Sequence, residues 1–229
     1  MPSFENHMSQ NSAVAAVGAG AKAGDKAALP IENVVPCFTP GTVIATPAGE
    51  KRVEDLAVGD RVLTRDNGLQ EIRWIGSCNL TKADLAKTPA MRPVIIRQGA
   101  LDMGLPEADI LVSPWHKVLI QNDKTAQFFE DSEVLSAAGH LTGMDGVDVI
   151  DASSVTYIHF MFEQHQVVLS NGFWTESFRP DDQVIESLGN RQRRQIFDLF
   201  PDLRDMDGRR AYKSARRSLS EAESRLLLK

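Results

Sequence analysis

From residue 42 onward the chain is written in short β-branched runs cut by turn residues, and this rhythm limits what it can fold into. Thr42-Val43-Ile44-Ala45-Thr46 ends at Pro47-Ala48-Gly49, and Arg61-Val62-Leu63-Thr64 is followed by Asp66-Asn67-Gly68 and then by residues 69–75. Asn-Gly between two such runs is a strong hairpin signal, because both residues tolerate positive φ. Asn171-Gly172, leading into Phe173-Trp174, repeats it. Residues 93–97, 110–112, 117–120, 155–162 and 166–169 are further candidate strands. Runs this short and this regularly punctuated predict a mainly β core. Short helices are expected within 79–90 and 132–142.

The flanks read differently. Residues 1–36 are rich in Ala, Gly, Ser and Asn. They carry too little apolar bulk to offset the entropy of ordering them, which predicts a flexible leader; the alternative is a short Ala-rich helix, marginal on its own. Beyond Pro180, residues Val184, Ile185, Leu188, Ile196, Phe197, Leu199 and Phe200 recur at helical spacing. Pro201 is expected to end that run. Ser218 or Ser220 is placed to cap a last helix, with acids in its first turn and Arg225 near its end. The plan is therefore a leader over 1–36, a β-domain over 37–180 and C-terminal helices over 181–229. Arg193, Arg194, Arg209, Arg210, Arg216 and Arg217 make this tail basic. Solvated helix faces are the simpler account, and a docking surface for a protein partner is the other.

A net charge of −6 speaks against a nucleic-acid partner, which calls for a basic footprint. No apolar run approaches the ~18 residues of a membrane span. No basic segment followed by an apolar core marks a Sec-type signal peptide. The two cysteines, Cys37 and Cys78, cannot make a disulfide framework for 229 residues.

Cys37 sits where the leader gives way to the β-domain, with Pro36 before it. A thiolate there can attack the carbonyl on its own N-terminal side through a five-membered ring, turning an amide into a thioester and freeing the α-amine. Proximity is built in. The step still needs a base for the thiol, a donor for the oxyanion and an acid for the departing nitrogen. Ser113-Pro114-Trp115-His116 sets a hydroxyl three residues before an imidazole at the end of an apolar run. His116 suits the acid and Ser113 an orienting role, with Trp115 lining the site. In a strand over 155–162, Val155, Tyr157, His159 and Met161 share one face. His159 therefore points to a core or a pocket, and His165 opens the next run. Either can assist. Taken singly, His116 and His159 read first as ordinary strand histidines. Cys37, Cys78, His116, His159 and His165 also include the ligand types of zinc, but no Cys-x-x-Cys or close His pair is present, so no metal and no cofactor are expected.

Together these blocks resemble the Hint superfamily, the self-processing domains of hedgehog proteins and inteins, and most of all the bacterial Hint-type domains outside true inteins. The resemblance runs from Cys37 to about Phe178. Cys37-Phe38-Thr39-Pro40-Gly41-Thr42 is similar to the opening block with its nucleophile, and residues 53–64 to its continuation. Ser113-Pro114-Trp115-His116 resembles the Thr-x-x-His block, with Ser for Thr. Tyr157 and His165 followed by Asn171-Gly172 resemble the last block. The resemblance implies a horseshoe-like, pseudo-twofold β-domain. It also implies an N-to-S acyl shift at Cys37 and cleavage of the Pro36–Cys37 bond by thioester attack, in a single turnover. The leader is then the substrate, and water or a small nucleophile resolves the thioester. Thr175-Glu176-Ser177 stands where inteins carry His-Asn and a nucleophile, so splicing is not expected. No sterol-recognising extension is visible, and Ile158 replaces the family's acidic residue after the Tyr. The alternative is a catalytically inactive Hint-like scaffold whose helical tail binds a partner. The resemblance points to a bacterial protein, in the cytoplasm or exported without a Sec-type signal.

Overall fold

A computed structural model describes residues 35–227. Of the expected leader only Val35 and Pro36 fall among them; the rest lies outside the described residues. The chain is mainly β, as its turn rhythm predicts. Its strands are β1 (Val43–Thr46), β2 (Gly49–Arg52), β3 (Arg61–Thr64), β4 (Gly68–Glu71), β5 (Trp74–Thr81), β6 (Val94–Ile96), β7 (Ile110–Val112), β8 (Lys117–Ile120), β9 (Val134–Ala137), β10 (Val147–Val149), β11 (Ser154–Met161), β12 (Val167–Ser170), β13 (Phe173–Glu176) and β14 (Arg217–Ser218). The helices are α1 (Lys82–Lys87), α2 (Asp123–Phe129), α3 (Asp182–Ser187), α4 (Asn190–Leu199), α5 (Met206–Ala211) and α6 (Glu221–Leu227). None is long and apolar enough to cross a membrane, among the described residues.

A nine-stranded open sheet runs β14-β9-β8-β13-β12-β1-β2, with β3 and β4 branching from β12. A three-stranded sheet, β10-β6-β7, and the long β11–β5 pair complete the strands. Both Asn-Gly signals make hairpins. At the β12–β13 turn Ser170 faces Phe173, and Asn171 (φ 46°) and Gly172 (φ 73°) are both left-handed, the pattern of a two-residue type I′ turn. At the β3–β4 turn only Gly68 (φ 62°) is left-handed.

β11 organises the interior. Its side chains alternate between two faces, and both faces are buried. Ile158 and Phe160, with Phe162 just past the strand, enter the larger core with Phe38, Ile44, Val112 and Val168. Val155, Tyr157 and Met161 enter a second core with Cys37, Trp74 and Phe178. The same core takes Val184 and Ile185 of α3, Leu188, Ile196 of α4 and Leu203. Of the residues at helical spacing after Pro180, Val184, Ile185, Leu188 and Ile196 are thus buried against the face that carries Cys37, Phe197 and Phe200 pack beside them, and Leu199 faces outward, 52% exposed.

Helix ends follow local chemistry. Ser220 caps α6: its Oγ accepts from the Glu223 amide (3.3 Å), and the Glu223 carboxylate accepts from the Ser220 amide (2.8 Å), a capping box. Phe200 closes α4, and Pro201 opens a 3-10 turn. Residues 82–87 are helical within 79–90, but 132–142 hold strand β9 followed by a 3-10 turn rather than an α-helix. Val134 and Leu135 are fully buried there, and pairing with β8 outweighs local preference. The tail also contains a strand, β14, parallel to β9. Two residues are too few to show a period. Arg216 beside it reaches Glu133 and Asp66 (2.7 Å each), and Arg209 pairs with Asp182, so these arginines are tied into the fold rather than free in water.

Candidate active site

Cys37 is pinned from two directions. Its amide N–H donates to Ser113 Oγ (2.9 Å), and its carbonyl accepts from the Ser113 amide (2.9 Å). Phe38 exchanges both backbone hydrogen bonds with Ile158 of β11 (2.8 and 2.9 Å). The loop after β7 and the strand carrying His159 therefore hold the Pro36–Cys37 junction between them. Ser113 Oγ in turn donates to the Val35 carbonyl (2.9 Å), bridging the two sides of that junction.

The Cys37 thiol lies 3.2 Å from His159 Nδ1 and 3.4 Å from the Val35 carbonyl oxygen. It is 1% exposed. Burial raises its pKa well above the ordinary thiol range, with the nearby Cys78 thiol adding to the rise and the Ser113 hydrogen bond opposing it. His159 is stacked on Trp74 (centroids 5.1 Å apart) and tilted against Phe178 (5.3 Å). Burial pulls its pKa down to about 3, so the ring is neutral, and its Nδ1 faces the thiol. Its Nε2 is buried with no hydrogen-bond partner.

His116 follows Ser113 in a tight turn, its amide donating to the Ser113 carbonyl (3.0 Å). The ring meets Phe38 edge-on at 4.3 Å, and neither ring nitrogen has a partner. Burial lowers its pKa to about 4, opposed by the charge of Glu176 and reinforced by that of Lys117. An imidazolium made here is a strong acid, suited to giving a proton rather than storing one.

His165 lies apart from this group. Its Nδ1 accepts from the Ala215 amide (3.0 Å) and its Nε2 donates to the Ser177 carbonyl (3.1 Å), fixing the ring's orientation and tying the tail to β12 and β13. Glu176 carries a buried charge that sequence reasoning treated only as a missing Asn. Burial raises its pKa, but Lys117, His165 and His116 outweigh it and hold the carboxyl down to about 2. The Lys117 amide (2.9 Å) and ammonium (3.2 Å) both donate to it. A charged residue at the buried end of an apolar strand was the available signal. Trp115 is not the indole at the site: it is 37% exposed and meets His140 edge-on at 6.1 Å. Trp74 takes that place, brought there by the β11–β5 register. Cys78 is a half-buried free thiol facing Tyr157 across the same pair.

Among the described residues, no group of three or more His, Cys, Asp or Glu side chains is arranged to hold a metal. A cleft of about 570 Å³ lies elsewhere, lined by Asp102, Asn122, Lys124, Met144 and Leu227 among others, and includes none of the residues around Cys37. The thiol and the two imidazoles are buried in the interior.

A family model described as "Hint domain" matches residues 36–182. Among solved structures, the crystal structure of the gp41-1 intein is similar at 18% identity and a TM-score of 0.38, covering 61% of this chain and 97% of that one. The solution structure of a bacterial intein-like domain from Clostridium thermocellum is similar at 14% identity and a TM-score of 0.41, covering 62% and 97%. No curated protein sequence matches.

Proposed function

The chain belongs to the Hint domain family, and from that premise we propose that it processes itself at Pro36–Cys37 by an N-to-S acyl shift, without splicing. The observation that carries this reading is a double contact at one residue. The Cys37 thiol meets an imidazole nitrogen at 3.2 Å, while the amide nitrogen that must depart is held by Ser113 Oγ at 2.9 Å. The thiol proton passes to His159 Nδ1 as Sγ adds to the Pro36 carbonyl carbon. The C–N bond then breaks, and the Cys37 nitrogen leaves as an amine. One proton is released and one is needed, so the step balances without an outside acid. Ser113 Oγ, which accepts from the Cys37 N–H, stands at the nitrogen, and His116 is assigned the delivery of that proton through it; His116 then regains a proton from solvent as His159 loses the one it took. His165 contributes through Glu176, 3.5 Å from its Nε2, and not by contact with the thiol. Water resolves the thioester to a free leader ending at Pro36 and a domain beginning at Cys37. Glu176, a carboxylate, replaces the side-chain amide that succinimide formation uses, which supports cleavage without splicing.

Intact-mass analysis of the purified protein with and without dithiothreitol tests this. Loss of residues 1–36, faster with the thiol and absent in Cys37→Ala, is the expected result. A full-length mass under every condition overturns it. The second reading, an inactive scaffold, is favoured by the raised thiol pKa and the closed site, and the same measurement separates the two.

A further inference from the structure

The β11–β5 pair sets Gly76 directly opposite His159. Gly76 is not among the residues with positive φ, so its backbone does not ask for glycine. Space does. A Cβ on Gly76 would fall 2.5 Å from His159 Nε2 and 2.5 and 2.7 Å from two atoms of the Trp74 six-membered ring. Neither ring is the loose end of a flexible chain. They stack on each other at 25°, and Phe178 packs against both. Trp74 is held once more from outside, its Nε1–H donating to Gln195 Oε1 of α4 at 3.4 Å. Gln195 lies beyond residue 182, outside the part of the chain the family model matches.

We propose that Gly76 is a positioning residue: it provides the slot in which Trp74 and His159 stack, and that stacking aims His159 Nδ1 at the Cys37 thiol, with Gln195 fixing the indole from the tail. The chain of contacts is Gln195 to Trp74 to His159 to Cys37. A ring displaced by the ångström or so that a Cβ at 2.5 Å demands no longer reaches the sulfur at 3.2 Å in hydrogen-bonding geometry. The inference rests on the reading above, in which His159 takes the thiol proton.

A double-mutant cycle tests it in a Cys78→Ser background, leaving one thiol to follow. Gly76→Ala is expected to slow leader release by about 10²-fold, the scale of a lost acid–base group, as His159→Ala does. Combined with His159→Ala it is expected to slow release no further. A glycine that served only the fold would act equally with or without His159, and additive effects would sink the proposal. Melting temperatures show which variants fold. If Gly76→Ala does not, Gln195→Ala, on an exposed helix face, takes its place. Gln195→Ala is expected to slow release at least about twofold, the low end of coupling between residues in contact, when His159 is present and not when it is absent. Equal effects, or none, overturn the proposal. If the wild type releases no leader, the acyl-shift reading has failed on its own account. The cycle is then read from the rate of Cys37 alkylation by iodoacetamide. A change of at least about twofold that depends on His159 supports the slot, and one that does not depend on it rejects the slot.

Discussion

At the residue scale, burial holds the Cys37 thiol and the His116 and His159 imidazoles in their neutral forms, beside the charged Glu176. His116 and His159 take up a proton near pH 6.5 when exposed to water, but only near about 4 and about 3 in the fold. Between those limits the unfolded chain binds more protons than the native one, so stability is fully present above pH 6.5 and falls as the pH falls. At ~1.4 kcal/mol per pKa unit, going from pH 7 to pH 5 is expected to cost on the order of 2 kcal/mol per imidazole. Glu176 adds a further loss below pH 4.5, because it stays charged in the fold down to about 2. Urea denaturation at pH 7 and pH 5 checks this: the midpoint should drop in the wild type and drop less in a His116→Gln/His159→Gln variant. An equal drop in both would mean that other groups carry the acid sensitivity. Cys37, Ser113 and His116 could be singled out in the sequence as candidates because each falls in a short motif. The aim of His159 could not be read there, because it depends on Trp74, Gly76 and Phe178, which only the β11–β5 register and the end of β13 bring to it. Glu176 was visible only as a departure. Its charge acquires a role once Lys117 and His165 are seen around it.

At the scale of elements, turns were the most legible and their tertiary neighbours the least. Asn171-Gly172 predicted its hairpin because a two-residue turn is local chemistry. Nothing local says that Glu107 packs on Gly172, where a Cβ would lie 2.4 Å from the Glu107 side chain. Gly172→Ala is therefore expected to cost more than the ~1–2 kcal/mol of a left-handed L-residue alone. Adding Glu107→Ala should recover part of the loss, as read by chemical denaturation; no recovery would place the whole cost in the backbone. β9 escaped prediction for the opposite reason. Its four residues, all buried, carry no alternation, and a buried strand of that length cannot be told from helix by period.

At the scale of the molecule, the helices after Pro180 share a core with Cys37. Their apolar stripe was readable from its period, but the face that receives it was not, since period tells only that a stripe is buried and not against what. Ile196→Ala, at a fully buried position in α4, is expected to destabilise the protein by ~2–5 kcal/mol. It should do so in one transition, seen alike by far-UV circular dichroism and by tryptophan fluorescence. An early melting step confined to the helices, with the main transition unmoved, would show the tail to be a separate unit.

The late position of that core's last contributors has a consequence for synthesis. Leu203 packs in the same cluster as Cys37, 166 residues upstream of it (203 − 37). At a translation rate of ~5–20 residues per second, roughly 8 to 33 seconds separate the two on the ribosome. During that interval the thiol has its opening loop and leader but not its roof. A nascent chain therefore presents Cys37 to the thiols and oxidants of its surroundings before it can present it to His159, whose strand emerges some 120 residues later (159 − 37 = 122).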